Sequence, residues 1–189
     1  MPNYRRFSVP GAMVFFTLVT HERRQFLTDD LARECLRQAI RTVRERRPFD
    51  IFAIVLLPNH LHAVWNLPPG DSDFSTRWRR VKEEFTTSYL AGGGTEGPRS
   101  TSQVKRGERG VWQRRFFEHT IFDEADLENH VNYLHYNPVK HGYASSPVEW
   151  PFSSFHRWVK DGHYDPDWGR GEHGRLNFPA IDDASYECE

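Results

Sequence analysis

Two histidines separated by one residue, His60 and His62, are the first pair in this chain whose types and spacing could do chemistry. On a β-strand, side chains two apart point to the same face, so both imidazoles can reach one ion while Leu61 enters the core on the other side. Imidazole is a common metal ligand near neutral pH because proton competition is weak there. Two ligands alone do not make a tight site, so a third must come from elsewhere in the chain. A lone His-x-His is also a frequent accident of a strand. Here it interrupts an otherwise apolar stretch, Leu56-Leu-Pro-Asn-His-Leu-His-Ala-Val-Trp65, at two positions of one face. That is costly for a core and reasonable for a site.

The second group is His130-Val-Asn-Tyr133-Leu-His-Tyr136-Asn137-Pro138. At about 100° per residue, Leu127, Val131 and Leu134 form one buried stripe, and His130, Tyr133 and Asn137 run along its flank. A phenol at the edge of a helix is an ordinary packing residue with a wet tip, and it is also a nucleophile when a neighbouring charge assists it. Tyr136, three residues on, points about 300° further round. Pro138 disfavours helical geometry at Asn137 and predicts that the helix ends there.

A third signal is the mixing of aromatic and basic residues, as in Tyr4-Arg-Arg-Phe7, Trp78-Arg-Arg80, Trp112-Gln-Arg-Arg-Phe-Phe117 and Phe155-His-Arg-Trp158. Guanidinium groups neutralise phosphates and aromatic rings stack on unpaired bases, which suits single-stranded nucleic acid. The competing reading puts the rings in the core and the arginines on a solvated face.

These residues need elements to hold them. Residues 12–20 are β-branched and aromatic and predict a strand. Asp29 or Asp30 opens a helix to about Arg47. Phe49 to Leu57 is a nearly continuous apolar run, and after Pro58-Asn59 the alternation from His60 to Leu67 completes a hairpin. Ser72 or Asp73 opens a second helix with Phe74, Trp78, Val81 and Phe85 on one stripe and Arg77, Arg79, Arg80 and Lys82 on the other faces. Residues 91–110, rich in Gly, Ser and Thr, predict a mobile basic loop. Arg115 to Phe122 predicts a further strand, Asp123 or Asp126 a third helix, and Phe152 to Val159 a short one. Strands interleaved with helices around an antiparallel hairpin predict an α+β fold.

At 189 residues the chain suits one compact domain, about 1–165, followed by an acidic tail from 166. The net charge of −1 hides an asymmetry: removing the 8 acidic and 2 basic residues of 161–189 from totals of 26 and 25 leaves 18 acidic against 23 basic. A modestly basic body is compatible with phosphate binding. No apolar run approaches a membrane span, and two distant cysteines offer no disulfide framework. A cytoplasmic protein is expected.

Taken together, the residues resemble the HUH tyrosine transposases, and within them the single-domain branch associated with bacterial repetitive extragenic palindromes (REP). The stretches that carry the resemblance are Tyr4-Arg-Arg-Phe7, Arg47-Pro-Phe49, Leu57-Pro-Asn-His-Leu-His-Ala-Val-Trp65, Trp112-Gln-Arg-Arg-Phe116, His130 to Gly142 and Trp150-Pro-Phe-Ser-Ser-Phe-His156. The resemblance implies a ferredoxin-like antiparallel sheet with helices mainly on one face and the histidine pair on a central strand. It implies Mg2+ or Mn2+ held by His60, His62 and Asn137, with Tyr133 as nucleophile forming a 5′-phosphotyrosine. The implied partner is a single-stranded DNA hairpin, with no nucleotide cofactor and no membrane, and the chain acting as monomer or homodimer. Arg5, Arg6, Arg79, Arg80, Arg114 and Arg115 are the candidates for DNA contact. His130 or His135 could assist the tyrosine. Two alternatives stay open: a protein that holds hairpins without cutting them, and a metal-dependent hydrolase with no covalent intermediate.

Overall fold

The structure is a computed structural model and describes residues 9–171. A four-stranded antiparallel sheet forms its centre, in the order β2-β3-β1-β4: β1 is Met13–Val19, β2 Asp50–Leu56, β3 His60–Asn66 and β4 Phe117–Thr120. The helices are α1 (Asp30–Arg46), α2 (Phe74–Ala91), α3 (Thr101–Lys105), α4 (Glu124–Lys140) and α5 (Phe155–Lys160). No helix among the described residues is long and apolar enough to cross a membrane.

Alternation along the strands sorts the core into two layers. Val14, Phe16, Leu18, Leu61, Ala63 and Trp65 face α1 and α2. Phe15, Val64, Val55 and Ala53 face α4, against Val131 and Leu134. Two long helices therefore cover one face and α4 covers the other. The first layer is built on large rings: Trp65 stacks on Trp78 at 3.9 Å between centroids and meets Phe49 at the same distance.

The helix starts follow the acidic residues expected of them. Asp73 caps α2 by accepting from Thr76 N at 3.0 Å, and Asp123 caps α4 by accepting from Asp126 N at 2.9 Å. Arg77, expected on an outer face of α2, is instead buried. Its five donors reach Asp71 Oδ1 and Oδ2 and the carbonyls of Arg47, Pro48 and Asp73 at 2.6–3.3 Å. The hydrogen bonds from this guanidinium bring the Asp71 carboxyl down to about 2.

The 91–110 segment contains α3, closed by a capping box between Ser100 and Gln103. Its two ends meet where Gly97 N donates to Gly110 O at 2.9 Å. A Cβ at Gly110, which sits at φ +62°, would lie 2.6 Å from Gly97 O, so only glycine permits this approach. The helix α4 runs through Pro138 to Lys140, one turn beyond the expected end. Proline so near a C-terminus removes one helical hydrogen bond, and the burial of Pro138 and Val139 compensates. Packing also continues past residue 165, where Trp168 meets Tyr164 at 4.8 Å and Tyr136 at 6.2 Å.

Candidate active site

The histidine pair sits on β3, second from one sheet edge, with α4 lying across it. The register places Thr17 opposite His62 and Val19 opposite His60, so the α4-facing row of the sheet carries both imidazoles. Leu61 enters the α1/α2 core as its alternation requires. Both histidines are buried beneath α4, at 5% and 1% exposure, so they line an interlayer space rather than an open strand face. The two rings are 4.9 Å apart.

Each imidazole is oriented by an oxygen on its Nδ1: His60 by Asn59 Oδ1 at 2.6 Å and His62 by Thr17 Oγ1 at 2.8 Å. Metal-binding histidines are usually held this way, with one ring nitrogen fixed and the other presented to the ion. With Nδ1–H of His60 donating to Asn59, its Nε2 and Asn137 Oδ1 are two acceptors 3.3 Å apart, an arrangement that a cation between them satisfies. Asn137 is fully buried, and its Nδ2 has no hydrogen-bond partner among the described residues. The donor set therefore fits a divalent ion. Burial, the imidazoles of His60 and His141 and the Lys140 ammonium hold His62 well below the ordinary histidine range, so it is a neutral imidazole at pH 7.

Tyr133 is fully buried on the same side, its ring 5.3 Å from that of His62. Tyr136 lies on another side of α4 and packs towards Trp168. Of the two histidines expected to assist, His130 meets Phe15 at 4.9 Å, whereas His135 turns away to Ser154 Oγ and the rings of Phe155, Trp158 and Tyr164. Burial, with the Arg157 charge, lowers His135 to about 3.

The structure brings in residues that spacing did not single out. The Lys140 Nζ lies 5.0 Å over the Tyr133 ring, and His141 lies 5.2 Å from His60. Both follow from α4 continuing past Pro138. Thr17 could have been found only from the strand register, which the sequence does not display. The arginine candidates are not one patch. Arg79 and Arg80 share Glu83 on α2, across the sheet from the histidines. Arg79 and Arg114 line a cleft of about 550 Å³ together with Lys82, Arg109, Trp112 and Phe116. Arg115 is exposed beside it, and Arg5 and Arg6 lie outside the described residues. A cleft of about 1350 Å³ between α1 and β2 contains none of the site residues.

The family model described as "Transposase IS200 like" matches residues 8–137. An Escherichia coli REP-associated tyrosine transposase is 43% identical over 169 residues, covering 89% of this chain and 91% of that protein. A Haemophilus influenzae protein provisionally given the same name is 40% identical over 174 residues, 89% of this chain and 94% of its own. A solved REP-associated tyrosine transposase bound to a REP hairpin superposes with a TM-score of 0.76 at 38% identity, covering 100% of this chain and 99% of that one. The chain belongs to the IS200-like transposases and, within them, to the REP-associated tyrosine transposases.

Proposed function

We propose that this chain nicks and rejoins single-stranded DNA at the foot of palindromic, REP-like hairpins, with Tyr133 as the nucleophile. The observation that carries this reading is the convergence of His60, His62, Asn137 and Tyr133 in one space between β3 and α4. The hairpin is supported by the solved relative, which is bound to one and shares 38% of its sequence with this chain.

His60 and His62 would hold Mg2+ or Mn2+ through Nε2, with Asn137 Oδ1 as third ligand and the remaining positions open to phosphate. Bound there, such an ion would supply Lewis-acid stabilisation of the charge on a non-bridging phosphate oxygen. Tyr133 supplies the attacking oxygen. Its bond to phosphorus forms as the bond to the leaving 3′ oxygen breaks; the phenol loses its proton and the leaving oxygen gains one. The 5′-phosphotyrosine conserves the energy of the broken ester, so another 3′-hydroxyl can reverse the step without a nucleotide cofactor. Lys140, over the Tyr133 ring, brings a positive charge towards the pentavalent phosphate. Arg79, Arg80, Arg114 and Arg115, with Arg5 and Arg6 ahead of the described residues, would neutralise backbone phosphates of the hairpin and its flanks.

The test is incubation with single-stranded hairpins in Mn2+, followed by denaturing electrophoresis. A DNA-linked protein band, lost on chelation and in His62→Ala, is expected. Hairpin binding with no band would mean that the chain holds DNA without cutting it. Cleavage without a band, retained in Tyr133→Phe, would mean hydrolysis with no covalent intermediate.

A further inference from the structure

One to two helical turns before Tyr133, α4 carries side chains to which the proposed DNA reaction assigns no role. Asp126 and His130 are four residues apart and share a face of the helix. His119 of β4 pairs with Phe15, so it points to the same face of the sheet as His62 and meets that helix face. His119 Nε2 lies 2.9 Å from Asp126 Oδ2 and 3.2 Å from Oδ1. His130 Nδ1 lies 2.9 Å from Asp126 Oδ1 and 2.8 Å from the Asp126 carbonyl oxygen. The two imidazoles stack at 4.4 Å. One donor atom from each of the three residues falls within 4.8 Å of the others. The cluster is closed on the protein side and open on the other: side-chain exposure is 3% for His130, 18% for Asp126 and 29% for His119. Burial pushes the Asp126 carboxyl up, but hydrogen bonds from His119 and the Phe122 N–H keep it below its ordinary value and therefore ionised.

We propose that His119, Asp126 and His130 form a second metal site, separate from the His60/His62 pair and suited to a borderline divalent ion such as Zn2+. Two imidazoles and one carboxylate are a softer set than the oxygen ligands that Mg2+ demands. Tetrahedral Zn2+, with bonds of about 2.0–2.1 Å, sets neighbouring donors roughly 3.3 Å apart. Asp126 Oδ1 already lies 3.2 Å from His119 Nε2 and 2.9 Å from His130 Nδ1, and the two imidazoles, with donors within 4.8 Å, close up around the ion. The ring protons move from Nε2 to Nδ1 on His119 and from Nδ1 to Nε2 on His130 as their hydrogen bonds to Asp126 give way to the ion. Water completes the coordination on the exposed side. The ion cross-links β4 to α4 beside Phe15, whose ring also meets His62 and Tyr133.

The experiment counts metal and needs no DNA, so its outcome is independent of the cleavage reading. Chelator-stripped protein is dialysed against micromolar Zn2+ and bound zinc is measured by elemental analysis. The intact chain should hold two ions, a His60→Ala/His62→Ala chain one, and that chain with His119→Ala or Asp126→Asn none. Zn2+ should raise the Tm of the His60→Ala/His62→Ala chain by several degrees, an increase that His119→Ala abolishes. Absence of zinc from the His60→Ala/His62→Ala chain, or an unchanged count after His119→Ala, would overturn the proposal and leave the cluster as a hydrogen-bonded clasp. Asp126→Asn preserves shape and guards against a variant that merely fails to fold.

Discussion

Tyr133 and Tyr136 are three residues apart, equally buried and chemically identical, and only their direction separates them. Tyr133 faces the imidazole pair, and Tyr136 faces Trp168. Tyr136→Phe should therefore form the DNA adduct at close to the normal rate in a single-turnover assay; an inactive variant would mean the nucleophile had been misassigned. Lys140→Gln tests the charge over the Tyr133 ring. Loss of one transition-state contact predicts adduct formation slower by roughly 10- to 100-fold, with hairpin affinity changed much less. Equal losses in both would reduce Lys140 to a binding residue. The shared strand face of His60 and His62 and the shared helix flank of Tyr133 and Asn137 were legible from spacing; the part of Asn137 as a ligand was implied only by the family resemblance. Lys140 and His141 were not, because Pro138 announced a helix end that packing overrode.

At the scale of elements, the hairpin, β1 and the helices α1, α2 and α4 followed from periodicity: residues 60–66 alternate and are a strand, and residues 30–46 repeat at helical spacing and are a helix. Arg77 shows where that reasoning stops. A sequence cannot show that three backbone carbonyls and a carboxylate converge on one guanidinium, so a basic residue on an α2 flank reads as solvated. In the structure it ties the start of α2 to the turn after α1 through Arg47 and Pro48. Arg77→Leu leaves those acceptors and Asp71 without their donor and should cost about 3 kcal/mol in urea denaturation. A loss below about 0.5 kcal/mol would put Arg77 back on the surface.

At the scale of the whole molecule, a sheet with helices on both faces encloses several histidines as neutral groups. His135 has a folded value of about 3 against an ordinary 6.5, so the unfolded chain binds its proton first on acidification. Its stabilising contribution is full above pH 6.5 and is lost as pH falls towards 3, reaching about 2 kcal/mol by pH 5. Burial lowers His62 and His130 as well, with the same sign. Denaturation midpoints should fall between pH 7 and 5, and His135→Gln should flatten the slope by about one proton. A slope unchanged by that substitution would contradict the burial seen here. The register that pairs Thr17 with His62, and the layer that sets His119 against Asp126, exist only once the sheet is assembled, which is why neither was readable from spacing.

The proposed chemistry turns on which oxygen takes the phosphate. Protein incubated with a hairpin in Mn2+, digested with nuclease and protease, should yield by peptide mass spectrometry a nucleotide phosphate on the peptide containing Tyr133, located at that residue by fragmentation. Modification of Tyr136 or another side chain instead, or cleaved DNA with no modified peptide, would contradict it.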